Sequence, residues 1–151
     1  MRTQTLVMSL ILFGLLCVMS ALWSCSDGLP PSQTAADTPS EAGGVRIYTA
    51  SDKYPVGVDS VTLQIENKSG GEVAFGLEWR AEVNRAGTWY KIPIKSQITI
   101  PDIARFASDG DTGSLALDFS WLDYNLNEGH YRIVKDIGGT TLAAEFEITK
   151  N

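Results

Sequence analysis

From Gly44 onward, apolar side chains return at every second residue, and that period limits what the chain can become. "VTLQIE" sets Val61, Leu63 and Ile65 on one side and Thr62, Gln64 and Glu66 on the other. "VAFGLEWRAEV" alternates Val73, Phe75, Leu77, Trp79, Ala81 and Val83 with Ala74, Gly76, Glu78, Arg80 and Glu82. The pattern continues through Leu115, Leu117 and Phe119, then Tyr131 and Ile133, then Leu142, Ala144, Phe146 and Ile148. A helix needs apolar residues three and four apart, whereas strict alternation makes a strand with one dry and one wet face. The strands read as Val45–Ala50, Val61–Glu66, Val73–Val83, Trp89–Ile92, Gln97–Ile100, Ser114–Phe119, His130–Asp136 and Thr141–Thr149. Turn signals separate them, among them Tyr54-Pro55-Val56-Gly57, Asp109-Gly110-Asp111-Thr112-Gly113 and Gly138-Gly139. One stretch, Asp102–Ala107 after Pro101, opens like a short turn of helix.

Half-wet strands exclude a doubly wound parallel sheet, and each apolar face must be buried against another. The expected fold is all-β, an antiparallel two-sheet sandwich of seven or eight strands. Trp79, central on the longest strand, is expected to fill the space between the sheets. The cysteines, Cys17 and Cys25, precede the alternating region, so the sandwich rests on apolar packing. A hydrophobic content of 44% argues against disorder. Eighteen acidic against 12 basic residues, net −6, argue against duplex nucleic acid as a partner, which calls for a basic footprint.

The N-terminus has a different character. Arg2 precedes an almost unbroken apolar run of 18 residues, Leu6 to Trp23, which reads as a signal peptide over residues 1–24. Leu22-Trp23-Ser24-Cys25 resembles the lipobox of bacterial lipoproteins, although Trp23 is bulkier than the middle position usually holds. The resemblance implies that Cys25 is diacylated on its thiol and becomes the first mature residue. Two or three acyl chains give durable attachment where one gives a marginal hold. Loss of Arg2 leaves the mature chain at −7, so attachment rests on acyl chains rather than on a basic patch. In a Gram-negative host, Ser26 in place of an acidic retention residue favours the outer membrane. Residues 25–43 contain three prolines and no β-branched aliphatic or aromatic residue, and read as a lipidated, solvated tether.

"NEGHYRIV", Asn127 to Val134, resembles the start of strand F in immunoglobulin-like domains. Asn127, Gly129, Tyr131 and Ile133 take the places of that pattern, with Ile133 where cysteine usually stands and Trp79 where the core tryptophan of strand C stands. The resemblance implies a tyrosine corner, in which the Tyr131 hydroxyl bonds to backbone across the preceding loop. More broadly, residues 44–151 are similar to bacterial immunoglobulin-like domains of small secreted or lipid-anchored proteins. Tyr54-Pro55-Val56-Gly57, Asn67 with Ser69 and Gly70, Trp89-Tyr90, Gly129 to Lys135 and Phe146 to Ile148 carry that similarity. It implies a non-enzymatic extracytoplasmic module with no cofactor.

Direct signs of chemistry are sparse. The single histidine, His130, alternates away from Tyr131 and is expected to face outward. Asp109 and Asp111 resemble the front half of a calcium loop, but its further acidic ligands do not follow, so they read as a solvated turn and no metal is assigned. Trp89, Tyr90, Trp121 and Tyr124 form a candidate binding surface, or else plug the ends of the sandwich. The leading expectation is a lipid-anchored module held to the bilayer through Cys25 and contacting an envelope protein or polymer. The alternatives are a protease-inhibitor-like domain presenting a loop near residues 104–112 and a hydrolase with an unrecognised site.

Overall fold

The computed structural model describes residues 28–150. The signal peptide and Cys25 lie outside the described residues. Eleven strands are found among the described residues: β1 Glu41–Ala42, β2 Val45–Thr49, β3 Lys53–Pro55, β4 Ser60–Asn67, β5 Val73–Phe75, β6 Arg80–Arg85, β7 Thr88–Ile92, β8 Arg105–Ala107, β9 Thr112–Asp118, β10 Gly129–Ile137 and β11 Thr140–Thr149. A single 3₁₀ turn, Phe119–Trp121, follows β9 and is capped by the Asp118 carboxylate, which accepts from the Ser120 amide.

The strands form two layers. The smaller sheet runs β1-β2-β4-β9. In the larger one, β3 pairs in parallel with β11, β11 with β10, β10 with both β5 and β6, β6 with β7 and β5 with β8. Alternation then buries one face of each sheet against the other, as the period-two reading requires. Ile47, Leu63, Ile65 and Leu117 of the smaller sheet belong to one apolar core with Ala81, Ile133, Leu142 and Ile148 of the larger. A run of rings crosses this core. Trp79 packs between Trp121 and Phe119 with centroids 6.4 and 6.2 Å away, and Phe119 stacks on Phe146, which stacks on Tyr131.

Several sequence expectations are corrected. The stretch Val73–Val83 is two strands rather than one. Phe75 pairs with Ile137 and Arg80 with Val134, so five steps of chain are set against three of β10 and two extra residues loop out. An even excess preserves side-chain parity, and Trp79, Ala81 and Val83 still point inward. The interruption leaves the Glu78 carbonyl without a ladder partner, and the buried Lys135 reaches across to donate its ammonium to it. Burial lowers the Lys135 pKa from its usual range. Gln97–Ile100 is not a strand, and the chain there turns through an Ile98 amide bond to the Lys95 carbonyl. The turn of helix expected over Asp102–Ala107 is replaced by β8, because β5 offers Arg105–Ala107 a free edge.

The largest difference concerns the tether. Leu29 is buried, and from Pro30 the segment lies against the larger sheet instead of extending into solvent. Pro30 and Ser32 exchange backbone bonds with Lys91 and Trp89, both at 2.9 Å, so the segment pairs with the outer edge of β7. It then crosses the outward face of the sheet to β11, where the Pro39 carbonyl accepts from the Ala143 amide at 2.9 Å. The Ser40 carbonyl accepts from Ile47, and β1 joins the smaller sheet. The segment is a strap.

Two turns show why particular residues are needed. Asn67 is wholly buried, and its amide donates to the Gly71 and Ala107 carbonyls while its oxygen accepts from the Ser69 amide. Gly44 has φ +79°, and a Cβ there would sit 2.6 Å from the Lys68 carbonyl oxygen, so no other residue fits without moving backbone.

Candidate functional site

The strap covers the most polar buried cluster among the described residues. Glu82 on β6 and Arg132 on β10 face each other across the ladder and point outward, yet Arg132 is 0% exposed and Glu82 1%. Arg132 Nε lies 2.8 Å and Nη2 2.7 Å from Glu82 Oε2. Its Nη1 donates to the Ala35 and Ala36 carbonyls at 3.0 and 3.1 Å, and Nη2 reaches the Thr34 carbonyl at 3.3 Å. The other carboxylate oxygen of Glu82 accepts the Ser32 hydroxyl. Trp89 lies under the guanidinium, 4.3 Å from its carbon. One side chain thus grips three consecutive strap carbonyls, which suits a planar fork of five donors. A groove of about 840 Å³ follows the strap, lined by Pro31, Thr34, Asp37, Arg80, Glu82 and Thr141.

The sequence reading missed this cluster, since Glu82 and Arg132 sit at wet-face positions of strands with clean alternation. The available signal was apolar material on both faces of β10 and β11. Val134 and Ala143 also point outward, yet are 0% and 2% exposed. A strand apolar on both sides is covered on both sides.

The other candidate residues fall in different places. Tyr131 is buried and its hydroxyl donates to the Asn127 carbonyl at 2.8 Å, the geometry of a tyrosine corner. Burial pushes its pKa well above the ordinary phenol range. Gly129 makes room for it, as a Cβ there would stand 3.3 Å from the Tyr131 ring. Ile133 is 0% exposed and fills the place where a disulfide is usual in this fold. Of the four aromatics considered for binding, Trp89 is buried beneath the strap, while Tyr90, Trp121 and Tyr124 are half-buried against the core. Tyr124 also accepts a bond from Arg85 at 2.8 Å. Tyr90 pairs with Val83 in the larger sheet, and Trp121 belongs to the 3₁₀ turn after β9. The exposed large apolar residues among those described are Tyr48, Val56, Ile103 and Phe106.

His130 packs its ring on Trp89, with Nε2 2.8 Å from Glu145, on the outward face. Asp109 accepts the Gly70 amide at 2.9 Å and the Asp111 carbonyl accepts the Asn67 amide, so both brace turns. No group of three or more potential metal ligands occurs among the described residues. Residues 104–112 comprise β8, the turn at Asp109 and Gly110, and the first residue of β9. No helix among the described residues is long and apolar enough to cross a membrane.

Fold, tyrosine corner and core tryptophan together define an immunoglobulin-like sandwich. A family model described as Bacterial Ig-like domain matches residues 41–147, and the chain belongs to that family. Among solved structures, the chain is similar to the alkylpurine DNA glycosylase AlkC of Pseudomonas fluorescens bound to DNA containing an abasic site analog. There the identity is 14%, the TM-score 0.37, and the match covers 72% of this chain and 31% of that one. It is also similar to β-glucosidase from Listeria innocua in complex with gluconolactone, at 16% identity and a TM-score of 0.35, covering 69% of this chain and 16% of that one. The chain spans less than a third of either protein, and at these TM-scores neither activity carries over. A search of curated sequences gives no match.

Proposed function

We propose that this protein is a non-enzymatic, lipid-anchored extracytoplasmic module that contacts an envelope protein or polymer. The observation that carries this reading is Leu22-Trp23-Ser24-Cys25, a lipobox-like sequence placed directly ahead of a bacterial Ig-like domain. Acyl chains on Cys25 supply the attachment, and in a Gram-negative host the outer membrane is the expected location. The polar groups best placed for chemistry are already engaged within the domain. Glu82 and Arg132 are saturated by each other and by the strap, and His130 lies in an open contact with Glu145.

The test is expression of the full chain in a bacterial host, followed by mass spectrometry of the N-terminal peptide. The expected peptide begins at Cys25 and carries a diacylglyceryl group. Cys25→Ser should move the protein from the membrane to the soluble fraction. A free Cys25 thiol with the leader still attached would overturn the reading.

A further inference from the structure

We infer that the β7 edge of the larger sheet rests against the bilayer, a placement that builds on the lipid anchor proposed above. The strap carries the argument, because it removes nearly all the slack expected between anchor and domain. Only Ser26, Asp27 and Gly28 separate Cys25 from Leu29, which is buried in the core. Four residue steps reach at most about 14 Å even when fully extended. The anchored cysteine therefore stays within that distance of Leu29, and a domain standing tens of ångströms off the membrane is ruled out for an acylated chain.

The same geometry selects which part of the domain is near. Pro30 to Ser32 pair with the free side of β7, so the chain arrives at the outermost edge of the larger sheet. Beside Pro30 lies a cleft of about 410 Å³ lined by Pro93 and Ile94, with the buried Trp79 and Ile92 at its floor. Lys91 and Arg80 stand at its rim, the latter paired with Asp136 at 2.8 Å. Half-buried Pro93 and Ile94 beside the exposed Lys91 suit the boundary between headgroups and acyl chains. β3 forms the opposite edge, four strand spacings away across β11, β10 and β6, or about 19 Å. Val56, exposed and next to β3, is therefore held away from the lipid.

The experiment uses the full chain, purified from bacterial membranes with its lipid attached. A single fluorophore is placed at Lys91→Cys or at Val56→Cys, since a thioether-linked Cys25 does not react with a thiol probe. The proteins are inserted into vesicles of phosphatidylethanolamine and phosphatidylglycerol that contain a headgroup-nitroxide lipid. Quenching at position 91 should exceed that at position 56 by severalfold. Insertion of twenty Gly/Ser residues between Asp27 and Gly28 should abolish the difference. Mass spectrometry of the same samples separates the two claims. An acylated Cys25 with equal quenching at both positions overturns the edge placement alone, whereas an unacylated Cys25 overturns both.

Discussion

Tyr131 joins a local sequence pattern to a global constraint. Its ring is stacked on Phe146 at 5.8 Å and its hydroxyl holds the Asn127 carbonyl, so it fixes the loop before β10 to the core. Tyr131→Phe keeps the ring and removes one buried hydrogen bond, a loss of about 1 kcal/mol near neutral pH. The pH dependence follows from burial, which raises the folded-state phenol above its unfolded value of about 10. The folded protein then holds this proton more tightly than the unfolded chain, so stability is fully present below pH 10 and falls as pH climbs beyond it. In paired denaturant titrations the gap between native protein and Tyr131→Phe should shrink above pH 10. A gap that stays constant would show that Tyr131 ionises normally in the fold. The resemblance of Asn127-x-Gly129-x-Tyr131 to immunoglobulin-like domains made the hydrogen bond legible in advance, and its donor and acceptor lie within five residues.

The strap is the element with the largest consequences, and Arg132 is its fastening. Arg132→Ala leaves Glu82 buried without a counter-charge and takes the guanidinium from three strap carbonyls, of which Ala35 keeps its bonds from Thr38. Breaking a buried pair on one side only costs about 3–5 kcal/mol, and much of this should appear as local release of the strap. The Lys91 and Ala143 amides donate to Pro30 and Pro39, so hydrogen exchange at these two should accelerate first. The Ile65 and Ile133 amides, inside the ladders, should stay protected under the same conditions. Uniform acceleration at all four would show that the strap and sandwich open as one unit. The sequence hid this element because Pro30, Pro31 and Pro39 look like a solvated linker, and because backbone bonding to a sheet edge requires no apolar period. β1, β3 and β8, each two or three residues long, were hidden for a related reason, as the neighbouring edge defines them more than their own side chains do.

As a whole, the molecule holds two sheets together by apolar packing, with a tryptophan cluster and no cross-link where this fold often places a disulfide. Residues 28–150 contain no cysteine, and Ile133 occupies that position in the core. Thermal unfolding monitored by circular dichroism should therefore give the same midpoint with and without reductant. A midpoint lowered by reductant would mean that a sulfur bond contributes to the folded state. What the sequence determined by itself was the period of two and the two-layer all-β solution, while its resemblance to immunoglobulin-like domains implied the tyrosine corner. Each depends on side-chain parity or on contacts within a few residues, and parity survived even the two-residue interruption between β5 and β6. What only the tertiary structure decided was the path of residues 29–40 and the burial of Glu82 and Arg132. Those depend on which sheet edge is left free and which outward face is left to cover, and both are properties of the assembled sheet rather than of any segment within it.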